Sequence, residues 1–275
     1  MISCPTCGES DHLHLDELLA DGRRQIVCHA CGHTWIRGEA KVVHKPVNTF
    51  EEAKKRFPGT ENVDPARMSR VADLKESFLR AHPEPQPEVA QYWARYQQTF
   101  SREGLKVCAP SDLKDFANTD TGAGPGNMSV FNTAWNAMGE EAAAGQTRKT
   151  IDYLLYGPPE VPLEDRLTNL IHRHKGLGMT GFKEALLTKV LCITEPDRFL
   201  PILTYSSVNG GKKQIAKLVY DLDLPEAAKV TWTIGRLILW SNDVLLHLAG
   251  DGFASQQHVS QFLWSAKNEQ QRLAG

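Results

Sequence analysis

The residues best placed to do chemistry are four cysteines in two short pairs. Cys4 and Cys7 stand in "CPTCG", and Cys28 and Cys31 in "CHACGHTW". Two CxxC turns offer four soft thiolates, which is what a tetrahedral zinc ion takes. Gly8 and Gly32 follow the pairs, where a tight knuckle turns its amides toward the sulfurs and needs a residue without a Cβ. The spacing predicts one structural Zn2+ held by Cys4, Cys7, Cys28 and Cys31. A catalytic zinc keeps three protein ligands and an open position, whereas four cysteines close the shell. His12, His14, His29 and His33 read as surface or supporting residues. Redox CxxC motifs come singly on a βαβ unit, so thiol exchange is disfavoured here. Trp35, Arg23, Arg24 and Arg37 could form a contact surface on this lobe, or Trp35 its own small core.

A second group of residues suits anion binding. "LTNLIHRHKGLGMTGFKEALLTKVL" reads as helix, glycine turn, helix, with Gly176, Gly178 and Gly181 in the turn. Such a turn can expose backbone N–H groups at a helix N-terminus, where the helix dipole favours a phosphate. Arg173, His174, Lys175 and Lys183 flank it, and Lys212 and Lys213 follow in "NGGKKQ". From Asp165 to Lys217 the chain carries nine Lys or Arg against four Asp or Glu, although its total formal charge is -2. Local basicity around a phosphate-ready turn is a footprint of nucleic-acid binding. The plainer alternative is an αα-hairpin with solvated charges.

Other catalytic signatures are absent. "SVNGGKKQ" lacks the spacing and hydroxyl of a P-loop, and "TGAGPGN" lacks GxGxxG spacing. There is no HExxH and no GxSxG. His172 and His174 lie two apart, so on a helix they do not face the same way. No catalytic residue is assigned. An enzyme acting on nucleic acid would have to draw on Asp197, Glu195 or Asp165, with Tyr205 nearby.

The elements that position these residues fall into two classes. "HLHLDEL", "RRQIVC" and "HTWIRGEA" read as short strands around the knuckles, the pattern of a zinc ribbon over residues 1–45. "KVVHKPVNTF" reads as its exit linker. Beyond it the apolar spacing is helical. Met68, Val71, Leu74 and Phe78 share a face, as do Val89, Trp93, Tyr96 and Phe100, with "PEPQP" as a break between them. The expected organisation is a zinc ribbon, a helical linker region over 46–125 that includes a helix from Thr49 to Phe57, and a helical domain over 126–275 with the helix-hairpin-helix-like turn. The fold class is a small β-rich zinc ribbon plus an all-α, multi-helix domain. With 275 residues and 41% hydrophobic content the chain can bury a real core. Cys108 and Cys192 are isolated, so no disulfide framework is expected. The start has no signal-peptide pattern, and the longest apolar run, "IGRLILWSNDVLLHLAG", is interrupted by Arg236, Asn242 and Asp243. A cytoplasmic protein without a membrane span is expected.

Two resemblances arise from quoted residues. "GLGMTGFKEALLTKVLCITEPDRFLPILTYSS" resembles the hairpin and following segment of helix-hairpin-helix DNA glycosylases. It departs from them at Gly181 and Phe182, where a hydroxyl or small pair is usual, and no Asp follows Pro201 to serve as general catalyst. "GMTGFKEALLTKVLCITEPDRFLPI", "WSNDVLLHLAG" and "QFLW" are together similar to the helical regions that precede the motor domain of McrB-like prokaryotic restriction proteins, over roughly residues 127 to 267. That resemblance implies a restriction or defence context. With no motor motif in this chain, it implies a separate NTPase or nuclease subunit as a partner beside DNA. The expected function is a non-enzymatic module that binds nucleic acid, most simply DNA. The alternatives are a glycosylase-like or nuclease-like enzyme and a protein-interaction scaffold.

Overall fold

The structure is a computed structural model that describes residues 2–18, 23–38, 55, 57–173, 176–207, 210–229 and 233–274. It divides into two compact units, Met1–Thr49 and Phe50–Gly275.

The first unit is a three-stranded antiparallel sheet in the order β1 (Leu13–Leu18), β2 (Arg24–Cys28), β3 (Thr34–Arg37). A register shift between Leu15 and Glu17 interrupts the β1–β2 ladder. Alternation puts Ile26 opposite Trp35 and Arg24 opposite Arg37 on one face of the sheet. The three strands match the segments read from the sequence. So small a sheet buries little: Ile26, Cys4 and Cys28 are its buried apolar residues among those described.

The second unit is all-α. Its helices are α1 (Pro65–Ala81), α2 (Pro87–Thr99), α3 (Arg102–Val107), α4 (Pro110–Asn118), α5 (Ser129–Met138) and α6 (Glu140–Tyr156). They are followed by α7 (Leu163–Ile171), α8 (Glu184–Thr194), α9 (Lys212–Tyr220), α10 (Ile234–Ala249) and α11 (Gln256–Ala274). Local signals set several ends. Asp64 caps α1 by accepting from the Ala66 amide, and Pro65, Pro87 and Pro110 occupy first turns, where their missing N–H costs nothing. The segment 46–125, expected as a helical linker region, contributes α1 to α4 to the same core as the later helices. Val71, Phe78, Trp93, Tyr96 and Phe116 are continuous with Phe182, Leu187, Leu237 and Phe262. The exit linker at 41–50 lies outside the described residues. So does the helix expected from Thr49 to Phe57, apart from Lys55 and Phe57.

The motif residues that suggested a restriction-protein resemblance have structural work here. Asn242 on α10 is fully buried. Its Oδ1 accepts from the Leu200 amide at 2.9 Å, and its Nδ2 donates to the Arg198 carbonyl at 2.9 Å. It thereby pins the "PDRFLP" segment to α10. Among the described residues, no helix is long and apolar enough to cross a membrane.

Candidate metal centre and candidate binding surface

The two cysteine turns are built alike. In the first, the Gly8 amide donates to the Cys4 carbonyl and the Cys4 amide to the Glu9 carbonyl. In the second, Gly32 donates to Cys28 and Cys28 to His33. Gly8 and Gly32 take φ of 78° and 74°, a left-handed conformation that glycine adopts without Cβ strain. The turns bring all four Sγ atoms within 4.8 Å of one another, with Cys4 to Cys31 at 3.7 Å and Cys7 to Cys28 at 3.6 Å. Four sulfurs bound to one zinc at about 2.3 Å would stand about 3.8 Å apart. The protein therefore presents a preformed cluster of four thiols that could hold a metal ion.

The electrostatics of these sulfurs agree with that use. Burial pushes the Cys4 thiol up, but hydrogen bonds from the Cys7 and Thr6 backbone and the Cys7 and Cys31 thiols outweigh it and leave Cys4 at about 7. At Cys7 the Glu9 backbone favours the thiolate, yet the sulfurs of Cys31, Cys4 and Cys28 drive it up to about 12. Four thiolates this close repel one another, and a bound cation removes that penalty. The histidines stand outside the cluster. His14 packs edge-on against His29 at 4.5 Å, and His33 stacks on the half-buried Trp35 at 5.9 Å.

The glycine turn between α7 and α8 is also ordered, but its amides are used differently from the expectation. Arg173 donates to the Leu170 carbonyl, Gly176 to Arg173, and Phe182 to Met179, while the Met179 amide donates to Thr150 Oγ1 at 2.8 Å. Gly178 is buried. Gly181 lies directly on α5: a Cβ there would stand 2.4 Å from the Phe131 nitrogen. Gly178 and Gly181 thus both sit at packing positions of the turn. What the turn exposes is Arg173, Gly176 and Lys183. His174 and Lys175 lie outside the described residues.

The basic excess shrinks on folding. Lys212, expected at the binding surface, is fully buried, because α9 starts with its side chain turned into the core. Lys189 is buried too, donating to the Phe116 carbonyl at 3.3 Å and to the Thr119 carbonyl. Lys213 is bridged to Glu226 at 2.6 Å, Lys217 to Asp221 and Asp223, and Arg198 to Glu195. Arg173 and Lys183 remain exposed, with no ion-pair partner among the described residues. The carboxylates considered as catalysts are held apart by local contacts. Asp165 faces Arg236 at 3.7 Å, Glu195 faces Arg198, and neither they nor Asp197 line the large cavity described next. Tyr205 is buried and donates to the Pro225 carbonyl.

That cavity, of about 750 Å³, lies among the glycine-rich loop at 120–127, the first turn of α8, the segment 201–207 with Gly210, and α11. Its wall residues Gln257, Gln261 and Trp264 were not singled out from the sequence. The available signal was their spacing: with Ser260 they recur at i, i+3, i+4 and i+7, where a packing helix would carry apolar residues. No protein-family model matches the chain, and no curated protein or solved structure is significantly similar to it.

Proposed function

We propose that the protein is a non-enzymatic nucleic-acid recognition module that binds DNA through the exposed rim of the α7–α8 turn, with one structural zinc ion in its cysteine lobe. The observation that carries this reading is Arg173. It follows the C-cap of α7 with φ of 53°, a conformation that costs a non-glycine residue about 1 kcal/mol. Glycine would be favoured at that position on stability alone, yet the chain places an exposed guanidinium there, on the same turn as Lys183. Arg24 and Arg37, paired across β2 and β3 and both exposed, offer a second cationic spot on the ribbon. Like charges held side by side are unfavourable without an anion between them. A place in a prokaryotic restriction or defence system and a separate NTPase or nuclease subunit are part of the proposal and rest on the sequence resemblance; a cytoplasmic location is part of it too and rests on the absence of a signal-peptide pattern and on the cysteine usage.

The test is fluorescence anisotropy with labelled duplex and single-stranded DNA over a salt series. Since most cations of the 165–217 segment are spent internally, the slope of log Kobs against log salt is expected at about -2 to -3, rather than the about -8 that nine phosphate contacts would give. Arg173→Gly is expected to weaken binding across sequences while leaving the protein as stable or more stable. Absence of any salt-sensitive complex at low ionic strength removes the proposal. A variant that binds DNA unchanged removes Arg173 from it.

A further inference from the structure

The cavity beside α8 has a wall unsuited to mere packing. α11 turns Gln257, Ser260, Gln261 and Trp264 toward it. Gln257 is only 8% exposed, and its Oε1 has no hydrogen-bond partner among the described residues. A buried amide oxygen left without a donor is uncommon in folded proteins, and a ligand that brings the donor accounts for it. Trp264 is half-buried with the Lys267 ammonium 4.8 Å from its ring centroid, so it is the rest of the indole that stays open to stacking. Thr204 and Ser207 add hydroxyls from the opposite segment. Asp120 is the one charged residue among those lining the cavity, which argues against a polyanion inside it. The volume falls in the range of about 300–1,000 Å³ typical of small-molecule sites.

We infer that this cavity binds a neutral, planar heteroaromatic ring bearing both donors and acceptors, a nucleobase, stacked on Trp264 and read by the amides of Gln257 and Gln261. Side-chain amides suit a base edge because each offers a donor and an acceptor in one plane, and an indole face accepts any base. The inference deepens the nucleic-acid reading and rests on it for the choice of a base among flat polar rings. The base can arrive on a free nucleoside or on a DNA strand from which it has been displaced.

Isothermal titration calorimetry on the full chain separates these sources. One arm uses the common nucleosides with ribose as control, and the other uses oligonucleotides carrying a single unpaired base. At least one nucleoside is expected to bind and ribose not to. Gln257→Leu, which keeps bulk and removes the unpaired amide, is expected to weaken binding about tenfold or more without lowering the melting temperature. Trp264→Leu is expected to weaken it likewise, and Trp264→Phe to retain most of it. Nucleoside binding without oligonucleotide binding assigns the cavity to free nucleosides and counts against the DNA reading alone. DNA binding with no nucleoside binding at about 1 mM overturns the cavity proposal and leaves the DNA reading standing. Binding untouched by both Gln257→Leu and Trp264→Leu overturns it as well.

Discussion

Lys212 holds its ammonium fully buried with no hydrogen-bond acceptor, and Lys189 is almost as enclosed, with two carbonyls and the rings of Tyr92 and Phe116 around it. Burial favours the neutral amine, so both side chains fall from the usual 10.5 to about 8. Between those values the unfolded chain binds more protons than the folded one, and stability rises with pH. Above pH 9 the rise is halved, because burial also lifts the Cys192 thiol from 9.0 to about 12 and the unfolded chain loses that proton first; from about pH 10 the buried tyrosines end it, Tyr96 pushed up to about 12 and Tyr92, Tyr205 and Tyr220 pushed up further. Urea melts are therefore expected to show stability rising between pH 8 and 9, by about 1 kcal/mol for each lysine, and turning over at higher pH. Lys212→Met should raise stability at pH 7 and halve the rise; a flat or falling profile would show that these ammonium groups reach water. The same two residues explain why charge counting overstated the basic surface. A sequence reports that a lysine is present, but its exposure depends on which face of its helix meets the core.

At the scale of elements, the α7–turn–α8 unit is specified by close packing as much as by helix ends. The hairpin itself was legible, since apolar periodicity and three clustered glycines mark two helices and a tight link. The reason for the glycines was not. Gly181 combines φ of 80° with the near contact to Phe131 on α5, so it is the point where the turn docks. Gly181→Ala is expected to cost about 3 kcal/mol, from overpacking and left-handed strain together, read as a lowered denaturant midpoint. It should also disorder the rim that carries Arg173 and Lys183, visible as faster amide exchange at Met179, whose bond to Thr150 depends on the docking. Normal stability in this variant would mean that the contact relaxes easily. α11 teaches the converse. Its polar stripe was readable as spacing, but a polar face on a helix ordinarily faces water, and only its neighbours show that this one lines a cavity.

For the molecule as a whole, the two units rest on different physics. The helical unit has an extensive apolar core, whereas the ribbon buries almost nothing beyond Ile26 and two of its cysteines. A small unit without a core would depend on the cross-link that a metal ion held by its four cysteines supplies. Stripping the metal with a strong chelator, or replacing Cys28 by Ser, is expected to unfold residues 2–38 while residues 57–274 keep their helical circular dichroism. Limited proteolysis should clip the ribbon alone, and elemental analysis should return one zinc per chain; a ribbon that stays protease-resistant without metal would refute the dependence. By itself the sequence determined the cysteine cluster, the three strands around it and the helical character of the rest. Each of these depends on short-range rules: ligand spacing, residue alternation and turn chemistry within a few residues. Only the tertiary structure decided that α1 to α4 join the main core, that Lys189 and Lys212 leave the surface, and that Gln257, Gln261 and Trp264 meet the loop at 120–127 around one cavity. Those outcomes depend on contacts between segments far apart in the chain, where burial is settled by how helices pack together and not by the spacing within any one of them.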